Sequence, residues 1–372
     1  MRVLVVFTYG YSLKTWDESG TLERELSIYT ELQKKYGIEF TFLTYGDDSD
    51  IQIAIKDLDV DIIPIYKYQK KSSSKLINIL KSIYFPFRNK RLFTGIDIIK
   101  QNQLQGSWVA IILKSLLRKP LFTRTGYDVY KFCLKDKKNF FIKFLYLYLT
   151  KITVQMSNIY SVSNLTDLRY SEFKYNKKKQ FVLRPNWILP NEYIKNKRFS
   201  NKVLCVGRLE HQKNFGYIIN EFEGTDFEID IVGKGSKKNE LHDLAKKNNV
   251  KVNFLKNINN QDLIKLYSNY KYFISSSLYE GHPKTVLEAM HSGCIVYLSD
   301  IPNHSELVEH GLDAYLYNLK KDNLKELFKE TISNEDMLEK ISYNAYLKME
   351  KNFGLEKAVT AENDDYKNII NL

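Results

Sequence analysis

The chain has 372 residues, 44% of them apolar and 14% aromatic, and carries 56 Lys and Arg against 44 Asp and Glu for a net charge of +12. At roughly 100–200 residues per domain this length fits two domains, and the apolar fraction excludes global disorder. The surplus charge favours an anionic partner (nucleic acid, phosphorylated ligand or anionic lipid) without choosing among them.

The opening run Val3–Phe7 is too short for a signal peptide and predicts a buried first strand. Further strands are predicted at Glu39–Thr44, Val60–Ile65, Leu121–Arg124, Ile159–Val162, Val203–Val206, Phe227–Val232, Val252–Leu255, Tyr272–Ser275 and Ile295–Leu298. Helical patterns fall between them, as at Leu22–Lys35, Ser107–Leu117, Ser163–Phe173 and Lys237–Lys247. This alternation predicts βαβ units and parallel sheets, and the number of strands exceeds one compact sheet of this type. The fold class expected is α/β, with two doubly wound domains.

Pro185 and Pro190 rule out an uninterrupted helix between them. A basic stretch, Lys195–Lys202, follows. The expected division is a first domain at 1–184, a linker at 185–200, a second domain at 201–350, and a helical tail at 351–372 packing back towards the first domain. Cys133, Cys205 and Cys294 form no CxxC pair, which disfavours a disulfide framework and favours a reducing compartment. No window offers about 18 uninterrupted apolar residues. The expected location is cytoplasmic, peripheral on the inner face of the plasma membrane.

In doubly wound folds ligands bind beyond the carboxyl ends of the strands. The strand Val203–Val206 leads into Gly207 and Arg208, with Lys213 just before a helix. Two cations beside a helix N-terminus suit a diphosphate, although solvated surface charge has the same composition. The strand Phe227–Val232 runs into Gly233-Lys234-Gly235, either a close approach to a ligand or an ordinary tight turn. The strand Tyr272–Ser275 is followed by Glu280-Gly281-His282-Pro283-Lys284-Thr285 and then Glu288. Pro283 suits a helix start. A loop carboxylate at Glu280 accepts hydrogen bonds from sugar hydroxyls, and Glu288 in the helix's second turn suits a ribose diol. Two solvated glutamates are the alternative.

Taken together, Val206–Asn214, Ile231–Gly235 and the Glu280-x7-Glu288-Ala-Met-x-x-Gly293 segment resemble retaining family 4 glycosyltransferases of the GT-B fold. Ser299–Pro302 and Glu306-Leu-Val extend the likeness, and Gly20–Glu23, Val162-Ser163 and Pro185-Asn186 continue it more loosely in the first half. The resemblance implies two Rossmann-like domains facing a cleft and a nucleotide-diphosphate sugar donor, here taken as a UDP-sugar. Arg208 and Lys213 would hold the diphosphate, and Glu280 the sugar. Glu288 would bind the ribose, and Gly207, Gly233 and Gly235 would lie beside the nucleotide. The Gly281–Thr285 backbone, with His282, Pro283 and Lys284, would border the donor, and Gly20 would let the first domain close over the phosphates. The first domain would bind a glycan or lipid-linked acceptor. Neither a cofactor nor a metal is implied. The expected setting is lipopolysaccharide, capsule or exopolysaccharide assembly.

Two departures stand out. Many relatives carry His-Asp after the strand corresponding to Leu121–Arg124, where this chain has Arg124-Thr-Gly-Tyr127-Asp128. These three side chains are candidates for sugar or acceptor contact, or for a capped turn. Where relatives often have glycine near the base, this chain reads Lys256-Asn-Ile.

Asp57-x-Asp59-x-Asp61 superficially offers a metal motif but leads straight into an apolar strand. The excess cations gather at Lys67–Arg91 and Lys131–Lys151, mixed with aromatics. These stretches are either helices for an anionic membrane surface or ordinary helices with an apolar core face and a solvated basic face. No nucleic-acid module is present. Rival readings are a GT-B nucleotide-sugar epimerase and a non-catalytic sugar-nucleotide or membrane-binding module.

Overall fold

The computed structural model describes residues 1–175, 180–194, 198–256, 258–321 and 323–371. Within the expected 185–200 linker, residues 195–197 lie outside the described residues, as does Asn257 of the Lys256-Asn-Ile departure. The chain forms two compact units, Met1–Pro185 with Glu356–Leu372, and Asn186–Leu355.

The first unit holds strands β1 (Arg2–Val6), β2 (Glu39–Thr44), β3 (Val60–Pro64), β4 (Ile98–Asn102), β5 (Leu121–Thr125), β6 (Ile159–Val162) and β7 (Gln180–Leu183). They form one parallel sheet in the order β3-β2-β1-β4-β5-β6-β7. The second unit holds β8 (Phe199–Val206), β9 (Glu228–Val232), β10 (Val252–Leu255), β11 (Tyr270–Ser275), β12 (Ile295–Ser299) and β13 (Tyr315–Tyr317). Their order is β10-β9-β8-β11-β12-β13, again all parallel. Both units are doubly wound and Rossmann-like, the α/β class expected.

The sheet of the second unit is buried on both faces, and its sequence shows why. Val203, Cys205, Ile229, Ile231, Tyr272, Ile274, Ile295, Tyr297, Tyr315 and Tyr317 pack into one core. Leu204, Val206, Val232, Phe273, Val296 and Leu298 pack into the other. Alternate residues point to opposite faces, so strands covered by helices on both sides read as continuous apolar runs. The strand order reverses at β8, whose neighbours are β9 and β11. Connections leaving opposite faces there open a crevice at the strand ends.

Strands β4, β7 and β13 were not expected. The β7 and β13 segments are short strands at sheet edges, too brief to show alternation. In β4 the pattern is broken by Lys100 and Gln101, both fully buried. Lys100 pairs with Glu362 of the helix Leu355–Ile370, itself buried, and its ammonium lies 4.6 Å from the centroid of the Tyr29 ring. Burial alone would raise the Glu362 carboxyl, but the charges of Lys100 and Arg124 hold it below its usual value. Three residues on, Asp365 accepts from Arg184 at 2.7 and 2.5 Å. These polar pairs tie the last helix into the first unit.

Breaking a buried pair strands the surviving charge, which costs about 3–5 kcal/mol, whereas replacing both partners with apolar groups is often neutral. Glu362→Ala should therefore lower unfolding free energy by about that amount in denaturant titration. Lys100→Met combined with Glu362→Leu should recover most of it. A double variant as unstable as the single one would contradict this.

Candidate active site

Two loops meet beyond the reversal point of the second unit. One leaves β8 through Gly207 and Arg208, makes a single 3-10 turn at His211–Lys213, and enters the helix Phe215–Glu221 through Asn214 at φ 52°. The other leaves β11 through Ser276–Pro283 and enters the helix Lys284–His291, with Pro283 at the N-cap. They are joined along their length. Leu278 N–H donates to the Gln212 carbonyl at 2.9 Å. The Ser276 hydroxyl donates to the carbonyls of Lys213 and Asn214 at 3.1 and 2.8 Å.

This joining brings Lys213 and Glu280 together. Lys213 Nζ lies 2.5 Å from Glu280 Oε1, with the side chains 13% and 8% exposed. The Ser277 hydroxyl donates to the same oxygen at 2.6 Å. Gln212 Nε2 donates to Glu280 Oε2 at 3.3 Å and to the Tyr279 carbonyl at 2.8 Å. Arg208, exposed, donates to Gln212 Oε1 at 3.0 Å. Burial alone would raise the Glu280 carboxyl, but the Lys213 charge and the Lys213 and Ser277 hydrogen bonds outweigh it, and the group sits below its usual value. The site thus presents an ionised acceptor paired with Lys213, with Arg208 linked to it through Gln212.

The glycines are what permit the loops to approach. A Cβ on Gly233 would stand 1.9 Å from the Gly207 carbonyl oxygen, and one on Gly235 2.3 Å from the Leu209 carbonyl oxygen. One on Gly207 would stand 2.9 Å from Cε of Lys213. Leu209 N–H donates to the Lys234 carbonyl and Lys237 N–H to the Leu209 carbonyl, both at 2.9 Å. The close approach expected of Gly233 and Gly235 is therefore made to the neighbouring loop's own backbone.

The remaining second-unit candidates have other partners. Glu288 is buried in the second turn of its helix, where Oε1 accepts from Asn260 at 3.0 Å. Asn186 braces the loop containing His282. Its N–H donates to His282 Nδ1 at 3.3 Å and its side-chain amide to the His282 carbonyl at 2.9 Å. The Lys284 ammonium lies 5.6 Å from the Trp187 ring centroid. Gly281 is buried, and Lys284 and Thr285 open the helix, where N–H groups have no intrahelical acceptor.

In the first unit, Gly20 turns the chain at φ 71° between the helices Leu13–Glu18 and Leu22–Tyr36. Arg124 donates to the Pro185 carbonyl at 3.0 Å, and the Tyr127 ring stacks on Phe132 at 4.3 Å. Asp128 caps the helix Val129–Lys135, accepting from Lys131 N–H at 2.7 Å and from the Tyr175 hydroxyl at 2.6 Å. A capped turn is therefore present at Asp128. Among the described residues no group of three His, Cys, Asp or Glu is placed to hold a metal.

The sequence did not single out Gln212, Ser277, Asn260 or the bracing role of His304. His304 is fully buried, and its Nδ1–H donates to the Ser299 carbonyl at 2.8 Å. Its Nε2 is buried without a hydrogen-bond partner among the described residues. Ser299 in turn donates to the Ser277 carbonyl at 2.6 Å. Burial pushes the imidazole below its usual value, so it is neutral at pH 7. A polar side chain between two motif residues, or a histidine beyond them, gives no periodic signal.

Residues 191–348 match the family described as glycosyl transferases group 1. An uncharacterized glycosyltransferase of Haemophilus influenzae is 30% identical over 207 residues, covering 51% of this chain and 54% of the relative. The capsular polysaccharide biosynthesis glycosyltransferase CapH of Staphylococcus aureus is 28% identical over 176 residues, covering 44% and 48%. The chain thus spans about half the length of these curated relatives. The crystal structure of Anabaena HepE in complex with UDP and glucose matches with a TM-score of 0.76 at 13% identity, covering 99% of this chain and 100% of that one.

The chain has the GT-B fold. The family match lies in the second GT-B unit and includes every candidate from Gly207 to Glu288.

Two tests follow from this geometry. Gly233→Ala should destabilise the protein by about 1–3 kcal/mol, because neither Gly207 nor its strand can move aside freely; an unchanged melting temperature would contradict the loop packing. Glu280 has its folded pKa below its ordinary 4.5. Its stabilising contribution is therefore complete above that value and lost as pH falls through the lowered one. The stability gap between wild type and Glu280→Gln should narrow on acidification from about pH 7 to pH 2, measured by denaturant titration. A gap that stays constant would refute the ion pair.

Proposed function

We propose that this GT-B protein is a retaining, metal-independent glycosyltransferase. It moves a hexosyl or N-acetylhexosaminyl unit from a UDP-sugar to a glycan or lipid-linked acceptor in cell-surface polysaccharide assembly. The observation that carries the reading is the linked set Arg208, Gln212, Lys213 and Glu280 at the strand-order reversal of the second unit. The UDP bound to HepE and the capsular role named for CapH support the donor and the setting.

The chemistry follows from charge. As the bond from the anomeric carbon to the diphosphate breaks, positive charge spreads over the sugar ring and negative charge grows on the departing phosphate. Arg208 and Lys213 meet that growing charge, and a pre-organised cation stabilises it without reorganising during the reaction. Glu280, ionised at neutral pH, accepts hydrogen bonds from sugar hydroxyls. Glu288 takes the ribose. The first-turn N–H groups of Lys284–His291 add to the positive field at the diphosphate. The leaving phosphate removes the acceptor's proton on the same face of the sugar, which keeps the anomeric configuration and requires no protein nucleophile. The first unit supplies the acceptor contacts.

A thermal-shift screen of nucleotide sugars identifies the donor, because a ligand of the native state raises the melting temperature. With that donor, Arg208→Ala and Lys213→Ala should each lose about 2–4 kcal/mol of transition-state stabilisation, a fall of roughly 30- to 1000-fold in kcat/KM. Unchanged turnover in both variants would refute the assignment. Release of an epimerised nucleotide sugar without acceptor would replace it with the epimerase reading.

A further inference from the structure

The first unit carries two helices that expose an apolar stripe in addition to the apolar residues they bury. Lys75–Arg88 buries Asn78, Ser82, Phe85 and Pro86, while Leu76, Ile77, Leu80, Tyr84 and Phe87 are exposed, Leu76 by 74%. Leu76, Leu80, Tyr84 and Phe87 recur at intervals of three or four and so form one stripe. Phe140–Met156 buries Thr150, Thr153 and Val154, while Phe140, Phe141, Phe144, Leu145 and Tyr148 are exposed, Phe141 by 82%. Here Phe140, Phe144 and Tyr148 stack in a row, with successive ring centroids 6.3 Å apart.

The two helices share a neighbour. The helix Ser107–Leu117 packs against each of the two. Trp108 donates to the Ser82 hydroxyl and Thr153 to the Ser107 hydroxyl, both at 2.9 Å. The buried polar groups thus fasten the helices down, and the apolar stripes point away. Keeping a large apolar side chain in water forgoes the favourable free energy of burying it, and contiguous exposed patches mark interaction surfaces.

Charge identifies the occupant. Between Lys67 and Arg91 there are eight cations and no carboxylate, and between Lys131 and Lys151 six cations and one carboxylate. The two stretches together carry a net charge of +13, more than the chain's whole surplus of +12. Most of these cations, including Lys70, Lys71, Lys137 and Lys138, are exposed. Aromatic and aliphatic stripes bordered by lysines match an anionic lipid bilayer, whose acyl boundary takes the rings and whose headgroups take the ammonium groups. No described helix is long and apolar enough to cross a membrane, so this contact would lie in the interface.

We propose that the Lys75–Arg88 and Phe140–Met156 face of the first unit docks on an anionic membrane surface. This stands independently of the catalytic reading, because it rests on other residues. The test is flotation of the full chain with vesicles of phosphatidylglycerol and phosphatidylcholine, against vesicles of phosphatidylcholine alone. Wild type should float with the anionic vesicles and detach as salt is raised. Phe140→Ser combined with Phe141→Ser and Phe144→Ser should reduce the bound fraction at least about tenfold, since each ring contributes apolar burial at the interface. Lys70→Glu with Lys71→Glu, and Lys137→Glu with Lys138→Glu, should weaken binding at low salt only. All these side chains are exposed or nearly so, and the variants should keep the wild-type melting temperature. Failure of wild type to float, or equal flotation of the aromatic variant, overturns the proposal. A wild-type dimer in solution that the aromatic variant abolishes would assign the face to a second copy and also overturn it.

Discussion

Lys213 and Glu280 share a nearly dry position that neither could occupy charged by itself. Removing an isolated charge from water costs several kcal/mol, and here each supplies the other's compensation. The pair holds only because two loops from different strands are fastened backbone to backbone, with Leu278 on Gln212 and Ser276 on Lys213 and Asn214. Those loops in turn start where β8 and β11 lie side by side. The strand order thus fixes the place of the charges, and the charges fix what the place can bind. Ser277 completes the arrangement by donating to the oxygen that Lys213 holds, and Gln212 by donating to the other oxygen of Glu280.

The glycines show how little freedom this geometry allows. A methyl group on Gly233 or Gly235 would overlap the backbone of the β8 loop. The third loop of the site is therefore pressed against the first, and Lys213 lies over Gly207 in the space a side chain would fill. Behind the cluster, neutral His304 holds Ser299, and Ser299 holds Ser277. The ionised pair at the front of the site is thus backed by hydrogen bonds between neutral groups.

Much of this was legible in the sequence because parallel strands buried on both faces read as apolar runs. All ten expected strands form, and the helix Ser107–Leu117 has the bounds its pattern predicted. What was hidden obeyed other rules. Strand β4 carries Lys100 and Gln101 in the core, and its lysine is tolerable only because Glu362 arrives from the far end of the chain. No local pattern records a partner that distant. The Gly-x-Gly turn was visible, but not that its neighbour would be another loop. The basic helices were visible too, yet composition does not say which side faces inward. Asn78, Ser82 and Thr153 share the inner side with Phe85, Pro86 and Val154 by hydrogen bonding to neighbouring helices or loops, and a second set of apolar residues is left outside.

The central claim is that two cations at the reversal point of the second unit recognise a diphosphate. Calorimetric titration of the full chain with UDP and with UMP tests it most directly, because the two ligands differ by one phosphate. A charge-assisted hydrogen bond contributes about 1.5–3 kcal/mol, so UDP should bind at least about tenfold more tightly than UMP. Arg208→Ala should erase most of that difference. Equal affinities for the two nucleotides in the wild-type protein would contradict the account.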